Sequence, residues 1–299
     1  MPKYSTNPIN VINFKTIEVD SFINDVEVNS DSLTIESFGD EWEKFNSFSE
    51  KEIGNAGHQY FDIVKKSILN KDAVVLDAGC GSGRWSRYIA PKVHQIEAID
   101  PSKSIFYAKN NNIDIKNIRF THAGIENLPF ENESFDFIFS LGVLHHIPNT
   151  EEALSELFKK LKNGGSILLY LYYSLDNKNR FYNLLFKPIN FLRILISKSP
   201  KIIKFLICDF IAVFIYIPLK FTSSLIKFFF KNDFYKNVPL YYYHDKSFNI
   251  IRNDSLDRFG TPLEKRFSKN EINQMLIKVG AKDIVFSDNE PYWHVICKK

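Results

Sequence analysis

The stretch Val74-Val75-Leu76-Asp77-Ala78-Gly79-Cys80-Gly81-Ser82-Gly83-Arg84-Trp85-Ser86-Arg87-Tyr88-Ile89-Ala90 decides the fold. A short apolar run ends on an acid, glycines alternate through Gly79, Gly81 and Gly83, and a helix begins at about Arg84. Glycine permits the tight turn and lets a ligand approach the backbone. The helix that follows offers unpaired N–H groups and the positive end of its dipole. Such a turn suits a phosphate or an amino-acid carboxylate.

Spacing separates these two ligands. The dinucleotide pattern G-x-G-x-x-G fails in both frames, because its last position falls on Arg84 or on Ser86. Asp77 would repel a pyrophosphate, whereas it favours a ligand that carries an ammonium and a sulfonium group. The phosphate-loop ending G-K-[ST] is absent as well. Asp100 closes the next strand, 17 residues beyond Gly83. A carboxylate there can accept hydrogen bonds from both ribose hydroxyls; its structural alternative is a turn cap before Pro101-Ser102.

Working outward, strands and helices alternate. Ala73–Asp77, Gln95–Asp100, Ile118–His122, Phe135–Ser140 and Ser166–Tyr172 read as buried strands. Helices fall over about Arg84–Ala90, Ser104–Asn111 and Glu151–Leu161, the last stopped by Asn163-Gly164-Gly165. Ser268, followed three residues later by Glu271, caps a helix that Gly280 ends. Lys282–Phe286 and Trp293–Cys297 then form a closing antiparallel pair. Apolar strands separated by helices predict an α/β, Rossmann-like three-layer sandwich. Its mostly parallel sheet has seven strands, with a C-terminal antiparallel strand and a helical insertion after the fifth.

The ordered set D-A-G-C-G-S-G, I-D-P-S, E-N-L-P-F, S-F-D-F-I-F-S-L-G-V-L-H-H-I-P-N and L-K-N-G-G-S resembles the class I S-adenosylmethionine-dependent methyltransferases. It is closest to the large type 11 subgroup that includes the ubiquinone and menaquinone C-methyltransferases. The resemblance covers about Val74 to Tyr172 well, and Ser268 to Lys299 more loosely. It implies a methyltransferase that binds S-adenosylmethionine and releases S-adenosylhomocysteine. Asp77, Gly79 and Gly81 would surround the methionine moiety, Cys80 and Gly83 of the same loop would also bind the cofactor, Asp100 would hold the ribose, and Pro101 and Ser102 would flank the adenine. The acid that usually reads the adenine edge is replaced by Gly124, followed by Ile125, which leaves backbone groups or Glu126 as substitutes. Leu141 would lie under the cofactor, and Gly142 to His146 would lead toward the methyl group.

Methyl transfer needs alignment and exclusion of water more than it needs proton chemistry. Where the acceptor carries a proton a base is required, and His145 and His146 are the candidates. The alternative makes them structural groups at a strand-to-helix turn. The other histidines show no metal-ligand spacing, so no metal is expected. Tyr241-Tyr242-Tyr243-His244 reads as pocket lining or as packing, and Arg258 and Arg266 as partners for an acidic substrate.

Two further segments frame the core. Residues 1–35, rich in Asn, Ser and Asp, read as a partly ordered N-terminal arm, and 36–72 as a helical cap carrying Trp42, Phe45, Phe48, Tyr60, Phe61, Val64 and Ile68. Those aromatics either pack on the core or close over the cofactor. The core proper spans 73–175, a basic aromatic insertion 176–245, and the rest of the core 246–299. Phe181 to Lys231 holds eight Lys or Arg against Asp209 alone, a net +7 where the whole chain carries +3. Its longest uncharged run, Phe210–Leu219, is too short to cross a bilayer. It is therefore read either as a lid with snorkelling lysines or as a peripheral contact with anionic membrane.

Composition excludes little else. At 299 residues, 44% apolar and 24% charged, the chain can build an ordinary core, and +3 is too weak a charge to point to nucleic acid. Three scattered cysteines give no disulfide framework, and the N-terminus shows no secretion signal, so a cytoplasmic protein is expected. The acceptor is expected to be a small or lipid-like molecule. The alternative is a non-catalytic S-adenosylmethionine-binding module associated with a membrane or partner.

Overall fold

A computed structural model describes residues 2–24, 29–46, 48–174, 180–230 and 233–299. Residue 1, parts of the arm (25–28), residue 47, the start of the insertion (175–179) and 231–232 within it lie outside the described residues. The chain divides into two compact units, Met1–Lys178 with Leu263–Lys299, and Asn179–Pro262.

The first unit opens with β1 (Asn10–Phe14) and β2 (Ile17–Ser21), then α1 (Ser32–Lys44) and α2 (Glu50–Tyr60). Next come β3 (Val74–Ala78), α3 (Arg84–Ile89), β4 (Gln95–Asp100), α4 (Ser104–Asn111) and β5 (Ile118–His122). β6 (Phe135–Leu141), α5 (Thr150–Lys160) and β7 (Leu161–Tyr170) complete the run before the second unit. That unit contains α6 (Arg180–Ser197), α7 (Lys201–Ile211), α8 (Ile217–Phe230) and α9 (Phe248–Gly260). The first unit resumes with α10 (Lys269–Lys278), β8 (Lys282–Phe286) and β9 (His294–Lys298).

Among the described residues the strands form one sheet in the order β1-β2-β5-β4-β3-β6-β7-β9-β8. The stretch from β5 to β8 is the seven-stranded sheet expected from the sequence, parallel from β5 to β7 and antiparallel at β7–β9 and β8–β9. The sheet is wider than expected by two strands. Where a partly ordered arm is read from composition, β1 and β2 form an antiparallel hairpin, and β2 joins β5 through the pair Ser21↔His122. The Ser21 hydroxyl and His122 Nδ1 lie 2.9 Å apart, and the Phe22 N–H donates to the His122 carbonyl, so the hairpin is pinned at one end. A second difference concerns Asn163-Gly164-Gly165. These residues lie inside β7, at the irregularity between Phe135 and Phe137 in its pairing with β6, rather than ending a helix.

Alternation places successive residues on opposite faces. Leu76, Ile99 and Ile138 pack with α5 and α10 on one side, while Val75, Ile96, Ala98, Phe137 and Phe139 pack with α3 and α4 on the other. Each fully buried Leu, Ile or Phe adds roughly 1.5–3 kcal/mol, so two such layers hold β3 rigidly at the centre. Its neighbours β4 and β6 lead away in opposite directions, which opens a crevice beyond the carboxyl ends of these strands.

Candidate functional site

The crevice is built first by the loop after β3. Gly79 has φ +85° and Gly81 φ +52°, a region that side chains seldom enter. A Cβ on Gly79 would lie 2.5 Å from Val143, and one on Gly81 2.9 Å from the Trp42 indole nitrogen. Two backbone amides of the loop, Gly79 and Cys80, donate to the Ile99 carbonyl at 2.9 and 2.8 Å. The Gly81 N–H donates to Asp100 Oδ2 at 2.9 Å. The other oxygen of Asp100 accepts from the Ser102 N–H and hydroxyl, at 2.9 and 2.6 Å. Asp100 therefore caps the turn, as its structural reading expects, and also stands in the wall of the crevice.

A cavity of about 890 Å³, part of it open to solvent, occupies the crevice. Gly79, Cys80, Gly81, Asp100, Pro101, Ser102, Ile125 and Leu141 line it, so most of the sequence-derived cofactor residues come together. Three do not reach it. Gly83 begins α3 with its would-be Cβ against Asn112. Asp77 lies beneath the loop, where it accepts from the Ser86 hydroxyl at 2.7 Å. Burial raises its carboxyl to about 7, and the charge of Asp100 adds to the shift. Gly124 is not in the lining, and a Cβ there would fall 2.0 Å from a carboxylate oxygen of Glu126. Glu126 itself lines the cavity, and burial pushes its carboxyl upward.

The two histidines are separated. His145 is fully buried, stacks on Tyr172 with ring centroids 4.0 Å apart, and accepts from the Tyr172 N–H at 3.3 Å. Burial lowers its pKa well below the ordinary histidine value, and it does not line the cavity. His146 does line it. Its Nδ1 donates to the Leu263 carbonyl at 2.6 Å, which leaves the lone pair on Nε2. Arg266 is held by Glu264 at 2.8 Å and lies outside the lining. In the second unit, Tyr243 is 1% exposed and packs on Tyr216, and Arg258 stacks over Tyr243.

The far wall comes from α1, which sequence reasoning placed partly in the arm. Asp31, Thr34, Ile35, Phe38 and Trp42 all line the cavity. Asp31 caps the helix by accepting from the Thr34 N–H, and positions 31, 34, 35, 38 and 42 then fall on one face. That periodic stripe beside an N-cap is a legible signal. Arg84 also lines the cavity and sits between Trp42, Phe48 and Trp85, 4.6–5.3 Å from their ring centres.

Residues 76–169 match the methyltransferase domain family. The core is a class I methyltransferase domain. A tRNA U34 carboxymethyltransferase from Nautilia profundicola is 34% identical over 112 residues, 36% of this chain and 37% of that protein. Phosphoethanolamine N-methyltransferase 2 of Caenorhabditis elegans is 30% identical over 102 residues, 33% of this chain and 23% of that one. The chain thus spans well under half the length of both relatives. The crystal structure of the YcgJ protein from Bacillus subtilis aligns at 27% identity with a TM-score of 0.38, covering 48% of this chain and 59% of that one.

The methyltransferase domain fits S-adenosylmethionine on its own geometry. The glycine loop forms a cradle that a Cβ would fill, and Asp31, Asp100 and Glu126 present acids to a ligand that carries two positive groups.

Proposed function

We propose that this chain transfers a methyl group from S-adenosylmethionine to a small or lipid-like acceptor. The observation that carries the reading is the Asp100 carboxylate. It is joined to the glycine loop through Gly81 and faces a cavity bounded by that loop, Ile125 and Leu141. In this reading Asp100 accepts the ribose hydroxyls, Pro101, Ser102 and Ile125 bracket the adenine, and Glu126 takes the adenine amine. The backbone of Gly79, Cys80 and Gly81 meets the methionine end, while Asp77 and Ser86 hold the loop from below. When bound, S-adenosylmethionine supplies an electrophilic methyl group on a sulfonium.

The chain's own residues orient and exclude. Phe38, Trp42, Val143 and Ile147 make an apolar wall that keeps water from the reacting centre. His146 Nε2, beside the carboxylates of the lining, can accept a proton from an acceptor hydroxyl or amine. His145, neutral and enclosed, positions its neighbour by fixing the turn. The apolar wall also supports an acceptor with little charge.

Titration calorimetry with S-adenosylhomocysteine is the test, with Asp100→Ala and NADH alongside. Saturable binding that weakens at least about tenfold in the variant is expected, since a hydrogen bond to a charged group contributes about 1.5–3 kcal/mol. No binding to wild type, or competition by NADH, overturns the cofactor reading. Transfer of labelled methyl from S-adenosylmethionine into a cell extract then tests the acceptor. Label in the nucleic-acid fraction would count against a small or lipid-like molecule.

A further inference from the structure

The second unit, Asn179–Pro262, encloses a small apolar core of Ile211, Ala212, Tyr216, Tyr243 and Ile251, and buries several polar groups beside it. Along α7, the wide turn at Ala212–Tyr216 and α8, the buried positions are Lys204, Cys208, Ile211, Ala212, Tyr216 and Ser223, one stripe at helical spacing. Much of what this stripe meets is polar. The Ser255 hydroxyl donates to the Cys208 carbonyl at 2.8 Å, and the Lys204 ammonium to the Gly260 carbonyl at 3.4 Å. Arg252 clasps both oxygens of Asp209, at 2.9 and 2.8 Å. From α6, Arg193 donates to the Thr261 carbonyl at 2.7 Å.

The opposite face is apolar and open. Ile202, Leu206, Phe210, Phe214, Phe221 and Phe228 are 58–75% exposed. α6 adds exposed Phe191, Leu192 and Leu195. A helix on a water-soluble surface keeps its outer face polar, and contiguous apolar surface of this kind marks an interaction face.

We infer that this face of the second unit seats in the interface of an anionic lipid bilayer. Charge selects the lipid. Lys187, Lys198 and Lys201 are exposed along α6, the turn after it and the start of α7, whereas Arg193 and Lys204 are turned inside and the one acid of these helices, Asp209, is held by Arg252. Lysine is depleted in protein–protein interfaces, whereas at a membrane its stem lies along apolar surface and its ammonium reaches the anionic headgroups. Although Phe210–Leu219 alone is too short, Lys201–Phe230 as one run is long and apolar enough to cross a bilayer, with mean hydropathy 2.3 in its best window, because it tolerates isolated charges. Its packing on α9 favours lying in the plane instead. α9 bears Arg252, Asn253, Asp254, Asp257 and Arg258, which an in-plane helix keeps on the aqueous side.

Flotation of the full chain at low salt tests this with vesicles of phosphatidylcholine alone and with added phosphatidylglycerol. The chain is expected to float with the anionic vesicles. Leu206→Glu, Phe214→Glu and Phe228→Glu together reduce the bound fraction at least about tenfold, with the circular dichroism spectrum unchanged. Lys187→Glu with Lys198→Glu removes the preference for anionic lipid. A wild-type chain that stays at the bottom with both vesicles overturns the inference. So does a stable dimer by light scattering that the triple variant converts to monomer without any vesicle binding, since a second copy would then cover the face.

Discussion

Asp77, which the sequence reading set against the ligand, lies beneath the glycine loop and outside the cavity lining. It is enclosed, held by Ser86, and raised to about 7 by burial and by Asp100. Because it couples electrostatically to Asp100 and Arg84, which both line the cavity, a positive ligand there stabilises its ionised form. Binding of S-adenosylmethionine is therefore expected to release a proton near neutral pH. Affinity falls as the pH drops through about 7, by at most about tenfold per unit for one proton. Calorimetry in buffers of different ionisation enthalpy reads the proton directly. Asp77→Asn keeps an acceptor for Ser86 and should abolish the linkage; a pH-independent affinity in wild type would show that Asp77 is already ionised. Gly79 permits a second residue-scale test. With φ +85° and Val143 2.5 Å from its would-be Cβ, Gly79→Ala is expected to cost about 2 kcal/mol in urea denaturation and to weaken ligand binding.

At the scale of elements, α1 matters most, because it closes the cavity and is fastened to α4 by a few polar contacts. The Lys103 ammonium lies 2.7 Å from buried Asp40 and 3.0 Å from Glu43, and its stem packs on Gly39. Lys103→Ala should loosen α1 and leave Asp100 in place. The expected result is faster amide exchange over 32–44 and a roughly fivefold higher Kd for S-adenosylhomocysteine, about 1 kcal/mol. Unchanged exchange there would mean that α1 is held by other packing. The same element shows what composition hides. The central strands were legible because Val74–Asp77 and Phe135–Ser140 are apolar runs bounded by turn residues. The hairpin was not: β1 and β2 are five residues each, joined through Lys15 at φ +58° with no Gly or Asn-Gly to announce the turn. Its inward stripe of Ile17, Val19 and Ser21 alternates with outward Glu18 and Asp20, a period-2 signal that five residues in a polar segment make too short to stand out. Asn163-Gly164-Gly165 misled in the opposite way, since a helix-stop signal and a bulge in a strand are spelled with the same residues. Within the site, the loop and Asp100 were legible because backbone geometry fixes them. The wall from α1 and the place of Glu126 in the lining depend on tertiary placement.

For the molecule as a whole, Asp77, Glu97 and His145 lead the response of stability to pH before any ligand binds, while Glu126, raised by burial, and His122, lowered by it, act in opposite senses. Burial raises Asp77 and Glu97 to about 7, Glu97 against the pull of Arg119 at 2.7 Å. Each carboxyl keeps a proton in the folded chain that the unfolded chain releases at its ordinary value of 3.8 or 4.5. Their contribution is therefore full below those values and is lost as pH rises to about 7. His145 acts in the other sense: depressed by burial, it favours the folded state above 6.5 and loses that contribution as pH falls toward its folded value. Between about pH 5 and 6, two carboxyl protons outweigh one from histidine, a net slope of about 1.4 kcal/mol per pH unit in favour of acid. Lower still, Asp62, held below its ordinary 3.8 by Asn289, His294 and Ser287, reverses the trend. The ligand-free chain should thus melt highest near about pH 5 rather than near 8. Asp77→Asn should flatten the limb between about pH 5 and 7 and raise the melting temperature at pH 8, where the wild type carries a buried charge. A melting temperature that climbs steadily to pH 8 would mean that both carboxyls are ionised in the fold. The polar contacts of Ser86 and Arg119 would then outweigh burial.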